Sequence, residues 1–282
     1  MTPSAARADA ATGASHRPPA LRRALWWAAD YLYAARRQLG VLAPPWSIGR
    51  PRPVPAAWER GDAARPTVVL LPGVYEHWTF LRPLGDALAR AGHRVEVVHG
   101  LGVNRHSVPE TAERLDRLLA EDPAPPAGRV LVAHSKGGLI GKQLLVTSGA
   151  AAVAAAEAVA GGDPADAAAG ASSPHGGRPL GLLGLVAVAT PFAGARRARL
   201  FVVPSIRAFL PANETIVMLG RETSVNGRIV SVFGPYDPHI PEGSALDGAT
   251  NISVPTPGHF RVLASRKTHT AVIEGVALLA TA

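Results

Sequence analysis

The sequence predicts an α/β fold: a doubly wound, mostly parallel sheet with helices on both faces. Short runs rich in Val and Leu, such as 67–71 and 129–134, are typical of strands buried on both faces of a sheet. Helical patterns separate these runs, and such alternation favours parallel strands joined by helical crossovers. The 282 residues are enough for one large domain of this class.

Each element follows from a local pattern. Uninterrupted apolar runs bounded by turn residues predict strands at 67–71, 94–98, 129–134, 182–190, 229–233 and 251–254. Apolar residues that recur every three or four positions predict helices at 80–91, 108–121, 135 to about 146, and 268–282. The strand at 129–134 leads directly into its helix, which leaves a tight turn between them.

The chain divides into three segments. Residues 1–20 lack apolar periodicity and predict a disordered tail. Residues 21–65 combine an amphipathic helix with a proline-rich connector, and the α/β domain occupies 66–282. Within that domain, 149–178 are rich in Ala and Gly and have little apolar bulk, which predicts a flexible surface insertion.

The helix predicted at 21–42 has three interpretations. A signal peptide is disfavoured because Asp30 interrupts the apolar stretch and no small-x-small cleavage site precedes a mature domain. Trp26 and the flanking arginines are typical of an interfacial membrane anchor. We favour the third interpretation, a helix docked on the α/β domain, and keep peripheral membrane contact through 21–42 as the alternative.

Composition excludes several classes of function. The chain has no cysteine, so it forms no disulfides and has no thiolate chemistry. A net charge of +8 suggests nucleic-acid binding, but aromatic residues make up 5% of the chain, too few for an extended base-stacking surface. We interpret the excess of arginine as a general feature of the composition and not as a sign of nucleic-acid binding. No apolar run reaches the roughly 18 residues of a membrane-spanning helix, which favours a cytoplasmic or peripherally membrane-associated protein.

The strongest local motif is Ala133-His-Ser-Lys-Gly-Gly138, between a strand and a helix. This context and spacing predict a nucleophile elbow, in which small residues flank a strained turn that presents Ser135 above the sheet edge. The helix N-terminus beneath the serine favours developing negative charge. The alternative is a serine that merely caps a helix. We expect His134 to point away from the nucleophile.

A nucleophilic serine needs a base and an acid that orients the base. Asp237 follows the predicted strand 229–233, and His259 follows the last short strand. The serine, the acid and the histidine therefore come in the chain order expected for a triad whose serine lies on a nucleophile elbow. Asp247 is the alternative acid and His269 the alternative base. His239 is expected to be a surface loop residue.

Acyl transfer also needs hydrogen-bond donors for an oxyanion. The loop after the first strand contains Pro72-Gly73, which lets the amide of Val74 or Tyr75 point inward. The second expected donor is the amide of Lys136, directly after the serine. The alternative interpretation of Pro-Gly is an ordinary turn.

From about residue 67 to 276 the chain resembles the α/β-hydrolase superfamily, in particular its bacterial lipase and esterase branch. The matching segments are Leu-Leu-Pro-Gly at 70–73, the elbow motif, Ala-Thr-Pro-Phe-Ala-Gly at 189–194, and 246–254 followed by Pro-Gly-His259. The resemblance implies a triad of Ser135, Asp237 and His259. Ala133 stands where the family pattern has glycine, and the N-terminal extension and the insertion also depart from it.

Residues 191–226 are expected to form a small cap or the wall of a substrate pocket. Their apolar side chains suit an acyl chain, and we expect the pocket to be lined by Phe192, Phe201, Ile206, Phe209 and Leu210. The predicted function is hydrolysis of carboxylic esters of hydrophobic acyl groups through an acyl-enzyme, without a metal or cofactor. The substrate would be a hydrophobic ester or lipid. The alternatives are a thioesterase or acyltransferase, an amidase or protease, and a non-catalytic membrane-associated module.

Overall fold

The computed structural model describes residues 19–39, 53–101, 103–160 and 180–281. Six strands form one sheet in the order β2-β1-β3-β4-β5-β6, and all five neighbouring pairs are parallel. The strands are β1 (Thr67–Leu71), β2 (Val95–Val97), β3 (Arg129–His134), β4 (Leu182–Val188), β5 (Ile229–Phe233) and β6 (Thr250–Ser253). The predicted doubly wound sheet is confirmed, and its described strands are wholly rather than mostly parallel.

Seven α-helices lie in the described ranges. They are α1 (Ala20–Leu39), α2 (Arg82–Arg90), α3 (Val108–Ala120), α4 (Lys136–Ala160), α5 (Pro204–Arg207), α6 (Glu214–Arg221) and α7 (Arg266–Thr281). Four 3-10 helices lie at Trp78–Leu81, Arg196–Leu200, Asn226–Arg228 and Arg261–Ala264. In the ranges covered, no helix has both the length and the apolar character needed to cross a bilayer.

Helix α4 is longer than the sequence suggested. It was expected to end near residue 146 but continues to Ala160, because the alanine-rich stretch is a strong helix former. The first part of the predicted insertion is therefore helical. The rest of the insertion, 161–178, lies outside the described residues, as do the tail up to residue 18 and the connector at 40–52.

The core lies on both faces of the sheet because successive strand side chains alternate between faces. In β3, Leu131 and Ala133 join a buried cluster with α3 and α4. Val130 and Val132 join the opposite cluster with α2 and α7. Every residue of β1 and β3 is buried, which explains why these strands appear in the sequence as continuous apolar runs.

The parallel strands bring several loops to one edge of the sheet. The carboxyl ends of β1, β3, β5 and β6 lie at the same edge, and the register pairs Leu71 with Ala133 and Phe233 with Ser253. The segments that follow these strands carry the residues singled out in the sequence. Helix α1 lies against the 3-10 helices Trp78–Leu81 and Arg261–Ala264, beside this same edge.

Candidate active site

The turn between β3 and α4 holds Ser135 in a left-handed backbone conformation, with a φ of 51°. A non-glycine residue rarely adopts this conformation, and it is typical of a functional turn held by its surroundings. Those surroundings are tight: a Cβ at Gly137 would collide with the backbone oxygen of Leu71, and one at Gly138 with the side chain of Thr190. The small residues after the serine are therefore required by close packing.

Ser135, His259 and Asp237 are brought together in one chain of hydrogen bonds. Ser135 Oγ lies 3.0 Å from His259 Nε2, and His259 Nδ1 lies 2.7 Å from Asp237 Oδ2. The other carboxylate oxygen of Asp237 accepts hydrogen bonds from the backbone amides of His239 (2.7 Å) and Ile240 (3.0 Å). This geometry orients the imidazole between the carboxylate and the hydroxyl.

The alternative residues do not join this arrangement. His269 Nε2 lies 2.8 Å from the backbone oxygen of Leu263, at the start of α7. Asp247 is exposed, and its backbone oxygen accepts a hydrogen bond from Asn226. His239 was expected to be a surface loop residue, but it is mostly buried, and its ring centroid lies 4.9 Å from that of His259.

The charges of the site reinforce the geometry. Burial alone would lower the pKa of His259, but the charge of Asp237 and its hydrogen bond outweigh burial and raise that pKa above 6.5, with smaller contributions from Asp30 and Glu76. Burial would likewise raise the pKa of Asp237, yet His259 holds it below its ordinary value. Asp237 is therefore ionised at neutral pH, and His259 is more basic than a free histidine.

The three backbone amides expected to act as oxyanion donors differ in their hydrogen bonding. The amide of Val74 has no hydrogen-bond partner in the described part of the chain. The amide of Lys136 belongs to the first residue of α4, where helical amides have no intrahelical acceptor. The expectation for Tyr75 is wrong, because its amide donates to the backbone oxygen of Val103 at 2.8 Å. The Tyr75 hydroxyl instead lies 2.6 Å from Ser205 Oγ, at the start of α5.

A second buried pair, His134 and Glu76, lies next to His259. His134 Nδ1 lies 2.8 Å from Glu76 Oε1. Its Nε2 lies 2.9 Å from the backbone oxygen of His259. Both ring nitrogens thus lie within hydrogen-bond distance of an oxygen atom, one on Glu76 and one on the His259 backbone. Glu76 also accepts a hydrogen bond from the Gly73 amide at 2.7 Å.

Replacing Glu76 with alanine is expected to lower the free energy of unfolding by about 2–6 kcal/mol, because it leaves two buried groups, the His134 ring and the Gly73 amide, without their hydrogen-bond partner. Urea denaturation would measure this loss. The control is Glu113→Ala, which removes an exposed pair with Arg117 and should cost about 1 kcal/mol or less. Equal losses in the two variants would contradict the assigned role of Glu76.

A cavity of about 1140 Å³ opens beside Ser135 and His259. Three of the predicted pocket residues line it: Phe201, Ile206 and Phe209. The expectation for the other two is wrong. Phe192 is buried in the core soon after β4 ends, and Leu210 packs against the same core, so neither lines the cavity.

Helix α1 also lines this cavity, which the sequence did not predict. The helix presents one face to the cavity, at three- and four-residue spacing: Ala20, Arg23, Ala24, Trp27, Tyr31, Ala34, Ala35 and Gln38. The spacing is visible in the sequence, but it does not identify the surface that the helix faces.

Comparisons with known proteins find similarity in solved structures. Neither a family model nor a curated protein matches the chain. A metagenomic carboxyl esterase is 15% identical, with 83% of this chain and 79% of that chain covered and a TM-score of 0.49. A Bacillus licheniformis lipase in its mature form is 12% identical (81% and 96% covered, TM-score 0.47). The ydeN gene product of Bacillus subtilis is 13% identical (76% and 99% covered, TM-score 0.48).

The fold can be identified from the sheet and from the residues that follow its strands. A parallel sheet carries a strained serine between β3 and α4, and an aspartate after β5 and a histidine after β6 complete the chain of hydrogen bonds. A serine on a strand-to-helix turn of such a sheet, followed along the chain by an acid and then a histidine, is the arrangement of the α/β-hydrolase fold. The chain has the α/β-hydrolase fold.

Proposed function

We propose that the protein is a serine hydrolase that cleaves carboxylic esters of hydrophobic acyl groups. The observation that carries this proposal is the hydrogen-bonded series Ser135, His259 and Asp237 at the wall of a largely apolar cavity. A nucleophile, a base and an orienting acid are the parts that acyl transfer requires. The cavity is large enough for an acyl chain beside the serine.

The reaction begins when His259 Nε2 takes the proton of Ser135 Oγ as the oxygen bonds to the ester carbonyl carbon. The carbonyl oxygen becomes an oxyanion that the amides of Val74 and Lys136 stabilise. His259 then gives its proton to the departing alcohol, and an acyl-enzyme remains on Ser135. Water, deprotonated by His259, attacks the acyl carbon, and the proton returns to Ser135 as the acid leaves.

Substrate preference is expected to follow the walls of the cavity. Phe201, Ile206 and Phe209 supply one apolar wall, and Trp27 and Tyr31 of α1 supply another. An acyl chain placed between these walls would bury its methylene groups at about 0.8 kcal/mol each. The rival activities, thioester hydrolysis and acyl transfer to an alcohol, use the same triad, so a kinetic comparison separates them.

The test is a chain-length series of p-nitrophenyl esters, run on the wild type and on Ser135→Ala. We expect the wild type to hydrolyse these esters and to prefer chains that fill the cavity, and the variant to be inactive. Matched thioesters and added alcohol acceptors show whether either rival reaction is faster. Absence of wild-type hydrolysis at every chain length would reject the ester-hydrolase proposal.

We also propose peripheral contact with anionic membranes through α1. Three leucines on the outer stripe of the helix are strongly exposed (Leu21, Leu25 and Leu32), and exposed arginines flank them. Apolar and basic side chains together are typical of helices that lie at a membrane interface. A Leu25→Glu, Leu32→Glu double variant should bind phosphatidylserine vesicles more weakly than the wild type in co-sedimentation. Equal binding of the two chains would reject this contact.

A further inference from the structure

Asp30 is a fully buried acid on a helix that is otherwise largely exposed. Its side chain is 0% exposed, whereas Leu25 and Leu32 of the same helix are 62% and 63% exposed. A charged side chain is rarely buried unless it is paired or fully hydrogen-bonded. The contacts of Asp30 therefore need an explanation beyond the packing of α1.

Within the described part of the chain, the hydrogen bonds of the Asp30 side chain are with the segment that begins at His259. Asp30 Oδ2 accepts a hydrogen bond from the His259 amide at 3.0 Å. Asp30 Oδ1 accepts from the amides of Phe260 at 2.9 Å and Arg261 at 2.8 Å. Hydrogen bonds to an ionised carboxylate are roughly twice as strong as neutral ones. Three consecutive amides are thus held by one side chain that lies 229 residues earlier in the chain.

The backbone at Gly258, directly before His259, lies close to the Asp30 carboxylate. Gly258 has a φ of 111°, a conformation that side chains rarely permit. A Cβ at Gly258 would lie 2.5 Å from Asp30 Oδ1. Glycine at this position therefore lets the loop approach Asp30 closely.

We propose that Asp30 is a positioning residue that fixes the backbone of the catalytic His259 and makes α1 an integral part of the active site. This inference rests on the proposed hydrolase function. Asp30 holds the amide of His259, and His134 holds its carbonyl oxygen. Asp237 and Ser135 bind the two ring nitrogens. The imidazole is thereby fixed at both its backbone and its ring, as productive proton transfer requires.

The electrostatic effect of Asp30 gives the proposal a distinct signature. The titratable and charged groups that face His259 come from four parts of the chain: Asp30, Glu76, His134 with Ser135, and Asp237 with His239. Burial lowers the pKa of His239 to about 3, so this ring is uncharged at neutral pH. The carboxylate of Asp30 raises the pKa of His259. Removing that charge should therefore lower the pKa of His259 and move the acid limb of the pH profile of kcat/KM to lower pH.

The test is Asp30→Asn in the full chain, assayed with a short p-nitrophenyl ester. The amide keeps one acceptor oxygen but places a donor against a backbone donor, so the histidine loop loses its fixed position. We expect kcat to fall about 10- to 100-fold with KM little changed, and the acid limb to move to lower pH. The control, Glu113→Gln, removes the same charge from an exposed carboxylate and should change neither quantity.

Wild-type hydrogen exchange provides a second measurement that needs no substitution. The amides of His259, Phe260 and Arg261 should exchange as slowly as amides within the sheet, since each is bonded to Asp30. Fast exchange of these amides would overturn the proposal even if Asp30→Asn failed to fold. Wild-type kcat and an unmoved acid limb in folded Asp30→Asn would also overturn it. The proposed hydrolase function is rejected by a different result, namely a wild type that hydrolyses no ester.

Discussion

Replacing His259 with alanine is expected to reduce kcat at least about 10³-fold, towards the roughly 10⁶-fold losses seen when a triad base is removed. The reason is geometric: His259 Nε2 lies 3.0 Å from Ser135 Oγ, and no other base in the described ranges contacts that hydroxyl. Without the imidazole, the serine keeps its proton and is a weak nucleophile. Steady-state hydrolysis of a p-nitrophenyl ester measures the effect.

The matched control for this variant is His269→Ala. His269 contacts the backbone oxygen of Leu263 and has no bond to Ser135 or Asp237, so kcat should stay near the wild-type value. A large loss in His269→Ala, with an active His259→Ala, would reverse the assignment of the base.

Replacing Asp237 with asparagine is expected to lower kcat about 10⁴-fold while leaving the fold intact. The side-chain oxygen of the introduced amide can still accept hydrogen bonds from the backbone amides of His239 and Ile240. The nitrogen of that introduced amide then faces His259 Nδ1 and donates to it. The ring proton is forced onto Nε2, which faces Ser135 and can no longer accept the proton of the serine.

Two comparisons sharpen this prediction. Asp247→Asn changes an exposed acid that the sequence allowed as an alternative, and it should leave kcat unchanged. Thermal unfolding should show that Asp237→Asn melts well above the assay temperature. A folded Asp237→Asn with more than about a tenth of wild-type kcat would contradict the role of Asp237 as the orienting acid.

The sheet, and the positions of Ser135, Asp237 and His259 after three of its strands, could be predicted because both depend on local patterns. β1 and β3 are continuous apolar runs because both of their faces are buried. Parallel strands then place the segments after β3, β5 and β6 at one edge, so chain order alone brings Ser135, Asp237 and His259 near each other. Predicting that these three residues lie close together therefore required only the rule that parallel strands end at the same edge of a sheet.

The position of α1 could not be predicted because it depends on contacts between distant residues. In the sequence, Asp30 argues against a signal peptide, but nothing marks it as the acceptor for three amides that lie 229 to 231 residues away. The error for Tyr75 has a similar origin, because its amide is taken by Val103 in a loop that follows a different strand. Local patterns predict the elements, whereas these hydrogen bonds depend on how the loops pack.

The central claim is that Ser135 is a nucleophile activated by His259, and covalent labelling with a fluorophosphonate tests it most directly. Mass spectrometry should locate one phosphonyl group on Ser135 of the wild type, formed with loss of fluoride. Labelling should be abolished in Ser135→Ala and strongly slowed in His259→Ala. An unlabelled wild type, or a label that persists in Ser135→Ala, would contradict the claim.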